Sequence, residues 1–113
     1  SLKSSKILVL GLAYKKDVDD YRESPSITII KELHKSGSLV SYSDPYIEEC
    51  ILIKDFLDNK KSIKISKSVL SNFHLVILLT DHSNFDYELI KDFSNLIVDT
   101  RGKFKNSDKI FPA

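Results

Sequence analysis

Residues 6–11 read KILVLG, a short and continuous apolar run that ends in glycine. A run of this length is typical of a strand that is buried on both faces, as the strands of parallel sheets are. Residues 75–80 (LVILLT) show the same pattern most clearly, and residues 96–99 (LIVD) show it again. Residues 39–43 (LVSYS) alternate like a further strand, which the Asp44-Pro45 pair ends. These runs form the framework of a predicted sheet.

Helix signals fall between these runs. Ser24 and Pro25 suit the N-cap and the first position of a helix, and Gly37 suits the C-terminal end, which predicts a helix over residues 25–36. Apolar spacing also predicts helices over residues 46–61, 66–73 and 86–93. Residues 62–65 are predicted to form a short edge strand. Residues 102–113 are expected to form a polar tail that finishes in the apolar pair Ile110-Phe111.

Strands that alternate with helices favour a parallel sheet joined by right-handed crossovers. We therefore predict an α/β fold, a three-layer α/β/α sandwich that is Rossmann-like, with an open parallel sheet of about five strands. Residues 1–5 are expected to be tag or linker residues, and residues 6–113 to form a single domain.

Composition excludes several classes of protein. The chain has 113 residues, of which 42% are hydrophobic and 29% charged, the balance of one folded domain. Its 17 Lys and Arg against 16 Asp and Glu give a net charge of +1, which argues against nucleic acid or a membrane as partner. The single cysteine, Cys50, excludes an internal disulfide and a thiolate metal cluster, and is interpreted as a buried, inert thiol. No apolar run approaches the roughly 20 residues of a membrane span, and we expect a cytoplasmic location.

Ligands of open parallel sheets bind at the carboxyl ends of the strands, so the candidate site comprises the loops at residues 11–23, 80–85 and 99–104. The first loop lacks a dinucleotide fingerprint, because Gly11 is followed by Leu-Ala-Tyr and the loop is longer than a phosphate-binding turn. Asp44 stands where a ribose-binding acid could lie, although an Asp-Pro turn is the favoured interpretation.

Three side chains at this edge suit a nucleotide. The ring of Tyr14 can pack on a base or sugar, and the ammonium of Lys15 can meet an anion. Arg101 follows the run at residues 96–99, and its guanidinium can fork onto phosphate oxygens. The alternatives are a solvated loop with weak internal ion pairs, and an Arg101 that pairs with Asp99 or with the acidic loop.

Other chemistries fit the sequence less well. Residues 81–83 (DHS) contain the residue types of a catalytic triad, but neighbours in sequence cannot align a nucleophile, a base and an orienting group. His82 is therefore interpreted as a turn or capping residue, and no catalytic residue or metal ligand is assigned. A receiver-like signalling domain is disfavoured because no acidic residue ends the first strand.

Longer motifs carry a family resemblance. Residues 11–15 read GLAYK, and D-x-RESP follows four residues later at residues 20–25. This signature resembles that of the C-terminal, UDP-binding domain of the UDP-glucose/GDP-mannose dehydrogenase family. Three further segments match in order, YSDPY at residues 42–46, LLTDHSNF at residues 78–85 and VDTRG at residues 98–102. The last two are most similar to the branch that oxidises UDP-N-acetylhexosamines.

The resemblance implies a function for the whole enzyme. Members oxidise C6 of a nucleotide sugar to a carboxylate with two NAD⁺ in turn, and an N-terminal Rossmann domain binds most of the NAD. Their catalytic cysteine lies outside the C-terminal domain, and a central helical region makes a homodimer or larger assembly. This chain is then expected to be inactive alone, with the UDP-sugar and the remaining domains as its partners.

The resemblance also implies roles for particular residues. Tyr14, Lys15 and Arg101 match positions that contact the substrate, and Arg22 matches an arginine that faces NAD. Asp20 is expected to orient local charges. A stand-alone nucleotide- or protein-interaction module without catalysis is the alternative.

Overall fold

The computed structural model describes residues 3–105 and 107–113. Its five strands are β1 (Lys6–Leu10), β2 (Leu39–Ser43), β3 (Leu75–Leu78), β4 (Ile97–Asp99) and β5 (Ile110–Pro112). Its helices are α1 (Pro25–Lys35), α2 (Lys67–Ser71) and α3 (Tyr87–Phe93), and a single 3₁₀ turn spans Lys54–Phe56. The strands lie in the order β2-β1-β3-β4-β5, and every neighbouring pair is parallel. The predicted α/β fold with an open parallel sheet is confirmed.

The sheet has an apolar layer on each face because residues alternate along each strand. Ile7 and Val9 of β1 face a cluster that includes Ile30 of α1, whereas Leu8 and Leu10 face a cluster that includes Leu70 of α2 and Ile90 of α3. All four β1 side chains are fully buried, as a central strand between two helical layers requires. This arrangement is the predicted three-layer sandwich.

Two local predictions are wrong. Residues 46–61 form successive turns and the 3₁₀ turn rather than an α-helix, with hydrogen bonds from Ile53 N to the Cys50 carbonyl and from Phe56 N to the Ile53 carbonyl. Repeated turns that span three residues bury side chains at nearly the same spacing as a helix, which explains the error. Residues 62–65 do not form a strand. Of their backbone amides, only that of Ile63 donates a hydrogen bond to β2, at the Tyr42 carbonyl.

The fifth strand lies in the segment expected to be a polar tail. β5 pairs with β4 through Ile97 and Ile110, and Ile110 is buried in the cluster on the α2–α3 face. A three-residue edge strand with one inward side chain leaves almost no alternation for a sequence pattern to detect.

The chain start is tied to β2. The backbone N of Ser4 donates to the Gly37 carbonyl over 2.9 Å, and Leu39 N donates to the Ser5 carbonyl over 2.8 Å. Of the predicted tag or linker at residues 1–5, residues 1 and 2 lie outside the described residues.

Side chains cap the N-terminal ends of all three helices, and the cap of α1 is the predicted one. The Ser24 hydroxyl accepts a hydrogen bond from Ser26 N at the start of α1, Ser66 caps α2 and the Asp86 carboxylate caps α3. No helix in the described part of the chain is long and apolar enough to cross a membrane.

Candidate functional site

Gly11 ends β1 at the carboxyl edge of the sheet, where the chain must turn against β3. Its φ is +92°, and a Cβ placed there would lie 2.4 Å from Cβ of Thr80 and 2.6 Å from the Thr80 backbone N and O. Only glycine allows this approach. Gly11 is therefore packed against Thr80, and its surface is not open to a pyrophosphate.

The loop of residues 12–24 leaves β1 and is fixed at several points. The Thr80 hydroxyl donates to the Ala13 carbonyl over 2.7 Å, and the Ser26 hydroxyl donates to the Gly11 carbonyl over 3.2 Å. Within the loop, Tyr14 N donates to the Asp20 carbonyl over 2.7 Å. These bonds hold the loop over the ends of β1 and β3.

The Asp44 carboxylate, at the end of β2, anchors the start of the same loop. Its Oδ2 accepts from Leu12 N over 2.8 Å and from Ala13 N over 3.1 Å, while Oδ1 accepts from Tyr46 N over 2.8 Å. Burial by itself raises the pKa of the Asp44 carboxyl, but its hydrogen bonds, that with His82 foremost, outweigh burial and leave the pKa below its ordinary value. The carboxylate is therefore a buried anion that serves as an anchor, since Oδ2 is occupied by the two loop amides and His82 and Oδ1 accepts from Tyr46 N.

His82 is fully buried beside Asp44. Its Nε2 lies 2.8 Å from Oδ2 of Asp44, and its Nδ1 accepts from Asp17 N over 2.8 Å. Because Nδ1 accepts a hydrogen bond, the network assigns the ring proton to Nε2, which donates to Asp44. His82 also begins a turn, as predicted, since Phe85 N donates to its carbonyl.

Asp17 joins the loop of residues 12–24 to the loop after β3. Its carboxylate accepts from Ser83 N over 2.8 Å and from the Ser83 hydroxyl over 2.6 Å. These two bonds, the hydroxyl's first, lower the pKa of the Asp17 carboxyl. Asp17 thus meets the loop after β3 with both its backbone and its side chain.

Two of the predicted substrate residues meet at one cavity. Tyr14 and Arg101 line a cavity of about 220 Å³, together with residues from α1, the end of β3 and the loop after β4. The Nε of Arg101 donates to the Leu79 carbonyl over 2.9 Å, and its backbone N donates to Asp99 over 3.0 Å. Its terminal nitrogens make no hydrogen bond or ion pair with any described residue. The guanidinium is thus oriented but still able to bind an anion.

Lys15 and Arg22 both follow Tyr14 in the same loop. Lys15 is exposed next to Tyr14 but does not line the cavity. Arg22, whose side chain is 82% exposed, forms a two-pronged ion pair with Asp20, through Nε over 3.1 Å and Nη2 over 3.0 Å. This pairing raises the pKa of Arg22 and lowers that of Asp20. Asp20 orients a local charge, as the sequence predicted.

Tyr14 also borders a second cavity. This cavity, of about 430 Å³, is lined by Tyr14, Asp20, Arg22 and Glu23. The tyrosine therefore stands between a space that Arg101 borders and a space that Arg22 borders.

A larger cavity lies elsewhere along the same edge, between the end of β2, residues 62–65 and the start of α3. It measures about 540 Å³, and its described charged lining is Asp44, Glu48 and Asp86 against Lys64. An acidic lining does not suit a diphosphate, so the smaller cavity beside Arg101 is the better candidate.

Sequence reasoning missed the pairing of Asp44 with His82. Both residues follow strands at the same edge, β2 and β3, which is the signal that could have brought them together. Cys50 is buried as predicted, and burial raises the pKa of its thiol. No group of His, Cys, Asp and Glu in the described part of the chain could hold a metal ion.

Comparison with known proteins places the chain in a family. Residues 8–106 match the UDP binding domain of the UDP-glucose/GDP-mannose dehydrogenase family. The UDP-N-acetyl-D-mannosamine dehydrogenase of Methanococcus aeolicus is 38% identical over 95 residues, which are 81% of this chain and 20% of that protein. The UDP-glucose 6-dehydrogenase of Rickettsia bellii is 33% identical over 111 residues, which are 92% of this chain and 25% of that protein.

A solved structure of a similar protein has the same fold over this domain. The UDP-N-acetyl-mannosamine dehydrogenase from Staphylococcus aureus superposes with a TM-score of 0.66 at 28% identity, over 98% of this chain and 26% of that one. The molecule is a Rossmann-like α/β domain. It belongs to the UDP-glucose/GDP-mannose dehydrogenase family, as the UDP-binding domain, and spans about a fifth to a quarter of the relatives' length.

Proposed function

We propose that this chain binds the UDP half of a nucleotide sugar within an NAD-dependent UDP-sugar 6-dehydrogenase, which oxidises the C6 hydroxyl to a carboxylate. The observation that carries the proposal is the cavity that Tyr14 and Arg101 share at the carboxyl edge of the sheet. Relatives of the chain include a UDP-N-acetyl-D-mannosamine dehydrogenase and a UDP-glucose 6-dehydrogenase, and the motifs favour the N-acetylhexosamine branch.

The residues have complementary roles in this proposal. Tyr14 provides an apolar wall for the uridine, and its ring is 56% exposed and so accessible to a ligand. Arg101 holds its terminal nitrogens available for phosphate oxygens, since among the described residues only the Leu79 carbonyl engages its side chain, at Nε. Lys15 supplies a compact charge at the rim, where a flexible ammonium can follow the diphosphate.

Binding at a distance from C6 contributes to the reaction by positioning. A firmly held nucleotide fixes the sugar relative to the reacting groups, so binding energy lowers the entropic part of the barrier. Those reacting groups belong to the rest of the enzyme, because Cys50 is buried and its thiol pKa is raised, the opposite of a nucleophilic cysteine. The chain alone is therefore expected to be inactive.

NAD fits this chain only as a peripheral contact. Gly11 is packed on Thr80, so the first loop offers no glycine surface for the cofactor's pyrophosphate. The exposed Arg22, held by Asp20, is the residue proposed to face NAD that is bound mainly by an N-terminal domain. When bound, NAD accepts the hydride. The same proposal includes binding to the remaining domains of the enzyme. It also includes a homodimeric or larger assembly and a cytoplasmic location.

Titration of the ¹⁵N-labelled chain with UDP tests the proposal. Perturbed amides are expected in residues 14–22 and 99–102. A hydrogen bond to a charged group is worth about 1.5–3 kcal/mol, so Lys15→Ala and Arg101→Ala are each expected to weaken binding by about tenfold or more. Lys16→Ala is the matched control, since Lys16 is an equally exposed neighbour, and is expected to bind normally. Perturbations confined to other loops, or normal binding by Lys15→Ala, would contradict the assignment.

Family membership argues against the alternative of a stand-alone interaction module. A module of that kind would bind a protein without needing Tyr14 or Arg101. The titration therefore separates the proposal from a protein-interaction module, because absence of any UDP effect at these residues would favour that form of the alternative.

A further inference from the structure

The segment that carries Tyr14 and Lys15 is held at both ends by one buried pair. On its N-terminal side, Asp44 accepts hydrogen bonds from Leu12 N and Ala13 N. On its C-terminal side, His82 accepts a hydrogen bond from Asp17 N. Since Asp44 and His82 are themselves joined over 2.8 Å, the two ends of the segment are connected through the interior.

We propose that His82 is a positioning residue for the UDP site, because it fixes the C-terminal end of residues 12–17 through Asp17 and the N-terminal end through Asp44. The proposal rests on the proposed function, in which Tyr14 and Lys15 contact UDP. His82 itself is fully buried and reaches no ligand, so its action is indirect.

The backbone at Asp17 shows why such an anchor is needed. Asp17 has a φ of +62°, a left-handed conformation that non-glycine residues adopt at a cost. Its amide is held by His82, and its carboxylate is held by Ser83, the next residue along the chain. Without the imidazole acceptor, the amide that fixes this conformation loses its partner, and the segment before it is released.

A purely structural pair would act differently. Loss of a buried hydrogen bond lowers the free energy of unfolding, yet it leaves the affinity of the remaining folded molecules unchanged. A positioning residue also changes the folded state, in the mobility of residues 12–17 and in their affinity for UDP. His74 is exposed but offers a comparison in hydrogen bonding, because its Nδ1 also accepts from a backbone amide, that of Lys6, at the opposite edge of the sheet.

The first experiment needs no ligand. Amide hydrogen exchange is measured on the 113-residue chain and on His82→Leu, His82→Gln and His74→Leu. Exchange at Asp17 is expected to rise by about tenfold in His82→Leu, the loss of one buried hydrogen bond. Glutamine keeps one donor and one acceptor, so His82→Gln is expected to restore protection, and His74→Leu is expected to leave residues 12–17 unchanged.

The second experiment measures the Kd for UDP under conditions in which each variant is fully folded by circular dichroism. The Kd is expected to rise by about tenfold in His82→Leu and to stay within about threefold of the wild type in His82→Gln. If His82→Leu does not fold, His82→Phe keeps an aromatic ring against Tyr46 and Phe85 but removes both ring nitrogens, and exchange at Asp17 and the Kd are both expected to rise.

The outcomes separate the two proposals. Unchanged exchange at residues 12–17 together with an unchanged Kd, in a folded His82→Leu or a folded His82→Phe, would overturn the positioning role. A wild-type chain that does not bind UDP would overturn the proposed function, while the exchange measurements would still decide whether His82 fixes the segment.

Discussion

Substitution of Gly11 by alanine tests how closely β1 approaches Thr80. The new Cβ would lie 2.4 Å from the Thr80 Cβ and 2.6 Å from the Thr80 N and O, well inside van der Waals contact. Two of these three atoms are backbone, so no side-chain rotation relieves the clash. The end of β1 or of β3 must shift instead.

The expected cost has two parts. A left-handed φ costs a non-glycine residue about 1–2 kcal/mol, and overpacking of a rigid interior costs about 1–3 kcal/mol more. Gly11→Ala is therefore expected to lower the free energy of unfolding by about 2–5 kcal/mol. For a domain of this size, where native stability is about 5–15 kcal/mol, that is a large fraction.

Gly102 provides the matched control. Its φ is +69°, but a Cβ there would meet no atom of the described residues within 4 Å, its two chain neighbours aside. Gly102→Ala is thus expected to cost about 1–2 kcal/mol, the conformational part alone. Urea unfolding followed by circular dichroism measures both variants. Equal destabilisation of the two would refute the reasoning, because it would show that contact with Thr80 contributes nothing.

Three further predictions concern the site and the core. Arg101→Lys is expected to weaken UDP binding by about threefold to tenfold, since an ammonium cannot fork onto two oxygens, and calorimetry measures the Kd. Because the folded pKa of Asp44 is below its unfolded value, its stabilisation is present at neutral pH and lost as the pH falls below about 4. Urea unfolding should accordingly show Asp44→Asn to be less stable than wild type by about 1–3 kcal/mol at pH 7, with a smaller difference at pH 3. The buried Cys50 thiol is expected to react with a disulfide reagent far more slowly in native buffer than in urea, and equal rates would contradict its burial.

Tyr14 lies between two cavities of the domain. One cavity beside this ring is bordered by Arg101, and the other by Arg22 and Asp20. In the proposed function these are the substrate side and the cofactor side of the domain. A single exposed ring would then be in contact with both spaces.

Strands with strong local patterns could be predicted from the sequence. β1, β2, β3 and β4 all lie within their predicted runs, because buried parallel strands are continuous apolar segments. The short β5 could not be predicted, because pairing with β4 rather than local alternation determines it. Residues 46–61 show the converse, since apolar spacing is nearly the same for repeated turns as for a helix.

The residue types of the site could be predicted from the sequence. The hydrogen bonds that hold its loop in place could not. Tyr14 and Arg101 follow separate strands, and the parallel order of the sheet brings both to one cavity. Asp44 is the turn residue that its Asp-Pro pair predicts, yet its carboxylate also anchors Leu12 and Ala13. That role depends on a tertiary approach between separate loops, which a local sequence pattern does not contain.

Intermolecular nuclear Overhauser effects between UDP and the ¹³C-labelled chain test the central claim most directly. The account predicts contacts from the ribose and uracil protons to the ring of Tyr14, with the Arg101 side chain also perturbed. Contacts confined to the larger cavity near Lys64 and Leu89, or a saturating UDP concentration with no effect on Tyr14, would contradict it.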